Sequence, residues 1–438
     1  MIILKNSTII GVNVIFLMFF GQVFAQNWSQ LPTSGNPDPR GNSSAIYIES
    51  NNRIIVFGGR GQSGSYNDIQ SLNLNTNSWQ NITPTTGTMP AARFSQNAFY
   101  DSLKNRMIIW SGQGAELYND VWAFNFNTNS WQQLWIDGNV SGAPLKRYGT
   151  AAVFDPVKRR IVTFAGFTTS GRFEDTWYFQ VDSLKWKDET NSFHPELRCL
   201  HTACISSDKQ KMIIYAGQHS GALDDLWSLD LLSFQWTQLN PPVKPQGRYF
   251  SGAVYTKFDK VIIFGGQSGS SIFGDLWKYD QVSNSWDSIA QRISKPSARY
   301  GHATIYIPSS DKIIIFGGNG SSYSNDTWQF GSISTTGIEN GGAELKGFNL
   351  HQNFPNPFNP STTIRYEIPV NSRVTITIYD VRSREIKTLI NEDQNSGEHS
   401  VSFDGKELSS GVYFYKIDVL DSRQQQLFSD IKRSVLIK

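Results

Sequence analysis

The sequence predicts an all-β chain: a six-bladed β-propeller closed by its own N-terminal strand, followed by a small β-sandwich. Three observations carry this. The composition has 28 Phe, 17 Tyr, 13 Trp and 36 Gly, with only 17 % charged residues. Aromatic residues suit strands, and Gly, Asn and Ser suit the turns between them. A disordered chain would be charge-rich and poor in aromatics, and a coiled coil or helical bundle would be dominated by Ala, Glu, Lys and Leu. Second, one arginine recurs six times at a spacing of 50 to 54 residues. Third, beyond residue 332 the repeat stops and short alternating strands begin.

Residues 1–25 read as a signal peptide. Lys5 supplies the positive start, Ile9 to Phe20 is an apolar run, and Val23-Phe24-Ala25 offers a cleavage site before Gln26. The apolar run is shorter than the ~20 residues a membrane span requires, so no transmembrane anchor is expected. Net charge is +2, from 39 basic and 37 acidic residues, and no basic tract stands out, so nucleic acid is not an expected partner. The two cysteines, Cys199 and Cys204, are five residues apart in what reads as one strand. At ~3.3 Å per residue they lie ~16 Å apart, beyond disulfide reach.

Residues 26–332 hold the repeats. The arginines are Arg40, Arg93, Arg147, Arg198, Arg248 and Arg299, each with a proline three residues before it. An apolar strand follows, then a second strand ending in an aromatic residue, a small residue and a glycine. These triplets are Phe57-Gly58-Gly59, Trp110-Ser111-Gly112, Phe164-Ala165-Gly166, Tyr215-Ala216-Gly217, Phe264-Gly265-Gly266 and Phe316-Gly317-Gly318. The invariant second glycine implies a positive φ or a close backbone approach; the first position implies only small size. An aspartate follows (Asp68, Asp120, Asp175, Asp225, Asp275, Asp326), with Trp two residues later in five repeats and Gln70 in the first. Eleven residues after the aspartate stands a second Trp (79, 131, 186, 236, 286), but in the sixth repeat that position is Gly337. Trp28, upstream of the first arginine, supplies the missing strand and closes the ring, which removes long exposed sheet edges.

The glycine doublets, with pairs such as Phe124/Trp131, Phe179/Trp186 and Tyr279/Trp286, resemble the kelch repeat. The resemblance covers about 70 % of the chain and implies a kelch-type propeller. Kelch propellers include a copper radical oxidase and a sialic acid mutarotase. The oxidase needs a Cys–Tyr cross-link and paired His and Tyr ligands, which have no counterpart here.

Residues 333–347 are rich in Ser, Thr and Gly and read as a linker. Residues 348–438 contain six or seven short strands, as in an Ig-like β-sandwich. Their sequence includes Asn356-Pro357-Phe358-Asn359-Pro360, Tyr379-Asp380, Arg384-Glu385, Leu408-Ser409-Ser410-Gly411-Val412-Tyr413 and a terminal Val435-Leu436-Ile437-Lys438. This module resembles the type A C-terminal sorting domain of the type IX secretion system, with Ser383 where the family often has Gly. The resemblance implies the type IX machinery as a partner of residues 348–438, and a product secreted or held on the outer cell surface.

Residues alike in all six repeats are read as scaffold: the arginines and aspartates satisfy loop backbone groups or pair with each other, which costs little near a surface, and the tandem tryptophans form blade core. Function is sought in what differs between blades. The loops between second and third strands share a face with the links from one blade to the next. This face gathers Phe94, Tyr148, Tyr249 and Tyr300, each just after an arginine, and the polar Gln62, Gln113, Gln218, His219, Gln267 and Asn319. Aromatic rings with amides suit a glycan or an extended protein segment. No catalytic residue is assigned, since no nucleophile elbow or phosphate loop is present. His194, Glu196, His201 and His219 match no metal-ligand spacing, so neither metal nor cofactor is expected. The reading is an exported interaction module for an extracellular glycan or protein. Its alternatives are a sugar-active enzyme of the mutarotase or isomerase kind and a structural surface protein.

Overall fold

A computed structural model describes residues 28–289, 291, 294–331, 348–368, 370–382, 384–395, 397–421 and 425–437. The expected signal peptide and linker lie outside these. The chain divides into two compact units, Met1–Thr336 and Gly337–Lys438.

The first unit is a β-propeller. Its described residues hold six four-stranded antiparallel sheets. Blade 1 runs Ser44–Ile48, Arg53–Phe57, Ile69–Asn73 and Ser78–Asn81; blade 2 Asn97–Asp101, Arg106–Trp110, Val121–Asn125 and Ser130–Trp135. Blade 3 is Ala151–Asp155, Arg160–Thr168, Gly171–Gln180 and Lys185–Asp188; blade 4 Thr202–Ile205, Lys211–Gln218, Ala222–Asp230 and Trp236–Leu239. Blade 5 is Gly252–Tyr255, Lys260–Phe264, Leu276–Asp280 and Ser285–Ile289. Blade 6 is Ala303–Ile307, Lys312–Phe316 and Thr327–Phe330, completed by Trp28–Gln30 in the register Trp28↔Phe330. The first strands touch in cyclic order, and that of blade 6 meets that of blade 1. Second strands such as Lys312–Phe316 are almost continuously apolar because both of their faces are buried.

One aromatic contact recurs between every pair of neighbouring blades. Trp79 lies 4.6 Å from Phe316 of blade 6, Trp131 5.3 Å from Phe57 of blade 1, and Trp186 5.2 Å from Trp110 of blade 2. Trp236 lies 4.8 Å from Phe164, Trp286 5.2 Å from Tyr215, and Trp28 4.9 Å from Phe264 of blade 5. Trp28 thus fills the place of the tryptophan that the sixth repeat lacks. The aromatic residue of each triplet is the surface on which the next blade's outer Trp rests.

The backbone adds a second set of joints. Each invariant glycine (59, 112, 166, 217, 266, 318) donates its N–H to the next blade's arginine carbonyl at 2.8–3.0 Å. Its φ lies between 98° and 122°, where only glycine is at ease. The preceding small residue needs more than the small size expected. Gly58, Ser111, Ala165, Ala216, Gly265 and Gly317 all have φ of 60–66°, the left-handed basin, which a short side chain can enter at a cost. Size matters as well, since a Cβ at Gly317 would stand 2.5 Å from the Arg40 carbonyl oxygen.

The second unit is a β-sandwich. A three-stranded sheet (Asn349–Leu350, Ser361–Ile368, Gly397–Asp404) shares a core with a four-stranded one (Glu385–Gln394, Ser372–Tyr379, Gly411–Leu420, Gln426–Leu436). Ile364, Tyr366, Val374, Ile376, Tyr415 and Ile417 fill that core. The Asn-Pro-Phe-Asn-Pro segment binds the last strand. Phe358 N–H donates to the Val435 carbonyl at 2.8 Å, Ile437 N–H to the Phe358 carbonyl at 2.9 Å, and Val435 N–H to Asn356 Oδ1 at 2.8 Å.

Candidate functional site

The six arginines come first, because their geometry decides what remains for a ligand. Their side chains are at most 2 % exposed. Each forks onto the aspartate of its own blade, with Nη1–Oδ1 at 2.5–2.6 Å and Nη2–Oδ2 at 2.7–3.0 Å. Nη1 also donates to the carbonyl of the small triplet residue, and Nε to the carbonyl two residues upstream. Four of five guanidinium donors are therefore occupied in each, and in Arg299 the fifth reaches Ser297 Oγ at 3.1 Å. The arginines are buried while their aspartates keep 6–37 % exposure, so the pairs reach the near-surface position expected from the carboxylate side only, and removing an aspartate would strand an arginine charge in the interior. Burial would raise the carboxyls of Asp225, Asp275 and Asp326, but hydrogen bonds and charge from their arginines and the neighbouring indoles hold them below the usual range. In five blades the Trp two residues on donates Nε1 to the aspartate at 2.7–2.8 Å. In blade 1, Gln70 Nε2 makes the same bond at 2.7 Å, which explains that departure from the repeat.

The mouth of the propeller carries the second- to third-strand connections. These connections, expected as long, variable loops, form paired hairpins. Blades 1 and 5 have two-residue ladders, Arg60–Gly61 with Gly64–Ser65 and Gln267–Ser268 with Ser271–Ile272, and blades 3 and 4 extend their main strands. The first residue of each hairpin pairs with the residue after the arginine. The bridges are Gly41↔Arg60, Phe94↔Gln113, Tyr148↔Phe167, Cys199↔Gln218, Tyr249↔Gln267 and Tyr300↔Asn319. Phe94, Tyr148, Tyr249, Tyr300, Gln113, Gln218, Gln267 and Asn319 thus occupy equivalent mouth positions. Asn319 Nδ2 donates to the Tyr300 hydroxyl at 2.8 Å. Gln62 stands apart, exposed at a hairpin tip two residues beyond the mouth position. That position in blade 1 is Arg60, whose guanidinium lies 5.4 Å from the Phe94 ring centroid. His219 is also displaced, its Nδ1 3.3 Å from Glu196 Oε2. Comparing the residue after the invariant glycine in every repeat would have found Arg60 and Phe167.

Inside the bridges runs a ring of backbone hydrogen bonds formed by the second residue after each arginine. Ser95 N–H donates to the Asn42 carbonyl, Gly149 to Ser95, Leu200 to Gly149, Phe250 to Leu200, Gly301 to Phe250, and Asn42 to Gly301. All six residues have positive φ, from 53° to 62°. Glycine enters this region freely and asparagine readily; Leu200 (φ 59°) and Phe250 (φ 56°) pay about 1–2 kcal/mol each. Leu200 packs with Cys199, Tyr249, Tyr148, Phe167 and Phe250. The Phe250 ring lies 6.0 Å from Tyr249 and 5.8 Å from Tyr300. Phe94 and Tyr148 meet at 6.3 Å, and Tyr148 and Phe167 at 5.6 Å. The aromatics therefore contact one another across blades, yet Tyr148, Phe167, Phe250 and Tyr300 stay only half-buried.

Arg172, on the blade 3 hairpin, reaches the same region. Its Nη2 donates to Gln218 Oε1 at 3.0 Å, its guanidinium lies 5.6 Å from the Phe167 ring centroid, and its Nε is buried without a partner. Burial raises the Cys199 thiol and the Tyr148 hydroxyl, and the Arg172 charge opposes both shifts. Of the four blade 4 residues considered for a metal, His219 and Glu196 meet and the other two have separate partners. His194 Nδ1 contacts the Pro195 carbonyl, and His201 is buried against Phe164. Among the described residues no group of three or more His, Cys, Asp or Glu could hold a metal ion. Both cysteines are free and buried, and burial pushes Cys204 up to about 12.

Comparison with known proteins follows the two units. Residues 12–188 and 187–336 match the family described as KLHDC2/KLHL20/DRC7 Kelch-repeats domain. Residues 352–428 match the family described as Secretion system C-terminal sorting domain. The chain is similar to kelch domain-containing protein 1 of Mus musculus, 26 % identical over 194 residues, which cover 38 % of this chain and 46 % of that protein. It is similar to host cell factor 1 of Homo sapiens, 24 % identical over 213 residues, 44 % of this chain and 10 % of the relative. It is also similar to the dynein alpha chain of the flagellar outer arm of Chlamydomonas reinhardtii, 25 % identical over 173 residues, 37 % of this chain and 4 % of the relative. The match spans less than half the length of each of these relatives.

Proposed function

We infer that this chain, which belongs to the kelch-repeat family, uses the mouth of its propeller to capture an extended protein segment outside the cell. The sorting module supports export by the type IX route to the cell surface or the medium. The observation that carries the reading is the contrast between blades. The Arg–Asp forks and interblade tryptophans repeat around the ring. The bridge residues at the mouth differ blade by blade: Gly41/Arg60, Phe94/Gln113, Tyr148/Phe167, Cys199/Gln218, Tyr249/Gln267 and Tyr300/Asn319. Half-buried aromatic rings offer apolar area, and the amides offer both donors and acceptors. A rigid frame with side chains that vary at one end is where recognition resides.

The test is selection of a phage-displayed random 12-mer library on residues 26–438, with surface plasmon resonance on the enriched peptides. Saturable binding weakened at least tenfold by Tyr148→Ala and Tyr300→Ala supports the reading. Enriched peptides indifferent to both substitutions refute the mouth as the site. A parallel glycan array in which sugars bind and peptides do not would replace the protein ligand with a carbohydrate.

A further inference from the structure

We propose that Phe250, supported by Leu200, is an apolar floor that reads a hydrophobic side chain flanked by an acidic residue in the captured segment. This rests on the protein-segment reading above.

The ring of backbone bonds needs only a peptide unit and a left-handed φ from each blade. Gly149 and Gly301 meet that need without strain, and Asn42 and Ser95 with short side chains. Leu200 and Phe250 meet it with bulky ones, at φ 59° and 56°; core packing accounts for the size of Leu200, while the ring of Phe250 stays half open. Strain of this kind, held in place by surrounding structure, gathers where a side chain has work to do. The neighbours are arranged around it. A Cβ at Gly149 would stand 2.3 Å from Leu200 Cδ2, so the glycine of blade 3 leaves the room that Leu200 occupies. Leu200 is buried and Phe250 half-buried, so Phe250 presents the open surface. Tyr249 and Tyr300 flank its ring.

Charge names the second feature of the occupant. Arg172 and Arg60 stand at the mouth, and among the described residues neither is ion-paired with a carboxylate. Arg172 carries a buried Nε without a partner. The Arg172 guanidinium, held by Gln218 beside the Phe167 ring, carries a positive charge that a carboxylate next to the hydrophobic side chain would pair with.

The experiment uses residues 26–438 and two small probes, Ac-Asp-Phe-NH2 and Ac-Ala-Phe-NH2, followed by saturation-transfer NMR of the phenyl protons. Saturable transfer to both rings is expected, with tighter binding of the acidic probe. Phe250→Gly should weaken both probes at least tenfold without lowering the thermal midpoint, because glycine enters the left-handed region freely. Phe250→Asn, which puts the blade 1 residue type in this place, should do the same. Arg172→Gln should abolish only the preference for the acidic probe. Phenyl binding unchanged in Phe250→Gly overturns the proposal. A fall of the midpoint in both Phe250 variants also overturns it, since the ring would then be core packing. The two readings can fail separately. Library peptides that ignore Phe250→Gly would leave the protein-segment reading and remove the floor. Probe binding at Phe250 with no peptide selected would keep the floor and remove the protein segment.

Discussion

Trp28→Ala would test how the propeller is closed. Trp28 is 2 % exposed, its ring lies 4.9 Å from Phe264 and 5.3 Å from Phe330, and its Nε1 donates to Gln291 Oε1 at 2.9 Å. Truncating a buried Trp costs about 3–5 kcal/mol, and the lost hydrogen bond about 1 kcal/mol more. Trp79→Ala is the matched control. That residue is 6 % exposed and rests on Phe316 at 4.6 Å, but its strand follows directly from the third strand of its own blade. The strand of Trp28 joins blade 6 only through its pairing with Thr327–Phe330. Both variants should lose several kcal/mol in urea denaturation. Only Trp28→Ala should also expose a new sheet edge, seen as faster amide hydrogen exchange in Thr327–Phe330 by mass spectrometry. A loss below about 1 kcal/mol, or unchanged protection of that strand, would refute the assignment of Trp28 as the clasp.

Acid should weaken the propeller well above the carboxylate range. Burial lowers His201 and His302 to about 3, so both stay neutral in the fold while an unfolded His takes a proton near 6.5. Their contribution is complete above pH 6.5 and is lost as pH falls toward 3; between pH 7 and 5 each costs about 2 kcal/mol. The double variant His201→Gln/His302→Gln should flatten the denaturation midpoint over that interval, since Gln96 holds the same place in blade 2 and donates to the Phe57 carbonyl at 2.8 Å. At the triplets, Gly112→Ala should cost about 1–3 kcal/mol because φ there is 111°. Ala165→Gly, at φ 60°, should change stability by less than about 1 kcal/mol, both variants being measured by urea denaturation.

Much of the scaffold was legible because it repeats. Spacing alone exposed the arginines, the aspartates and the outer tryptophans, and the gap at Gly337 directed attention to Trp28. The site was legible only in part. Residue type revealed the aromatics after the arginines, and their partners emerged once the hairpins were seen to pair in register. Gln62 was named for blade 1 because residue type does not reveal that Arg60 stands at the bridge. Leu200 and Phe250 escaped notice because they read as ordinary apolar residues; what sets them apart is a backbone angle, and no side chain announces its φ. For the same reason the small triplet residue was read as a matter of size: alanine and serine conceal a left-handed backbone that glycine would have declared.

The innermost ring of hydrogen bonds has a consequence for the electrostatics of the axis. In a helix the peptide dipoles align and leave unsatisfied groups and partial charge at two termini. Here the six donors, from Asn42 to Gly301 and back, follow one another around a circle, each pointing to the next. A closed circuit of equal dipoles sums to nearly zero and has no first donor or last acceptor. Each residue gives one bond from its N–H and receives one on its carbonyl, so no group of the ring is left without a partner. In the plane of the ring no net dipole then points toward any one blade, and the formal charge a ligand meets at the mouth is carried by side chains, Arg60 and Arg172 foremost.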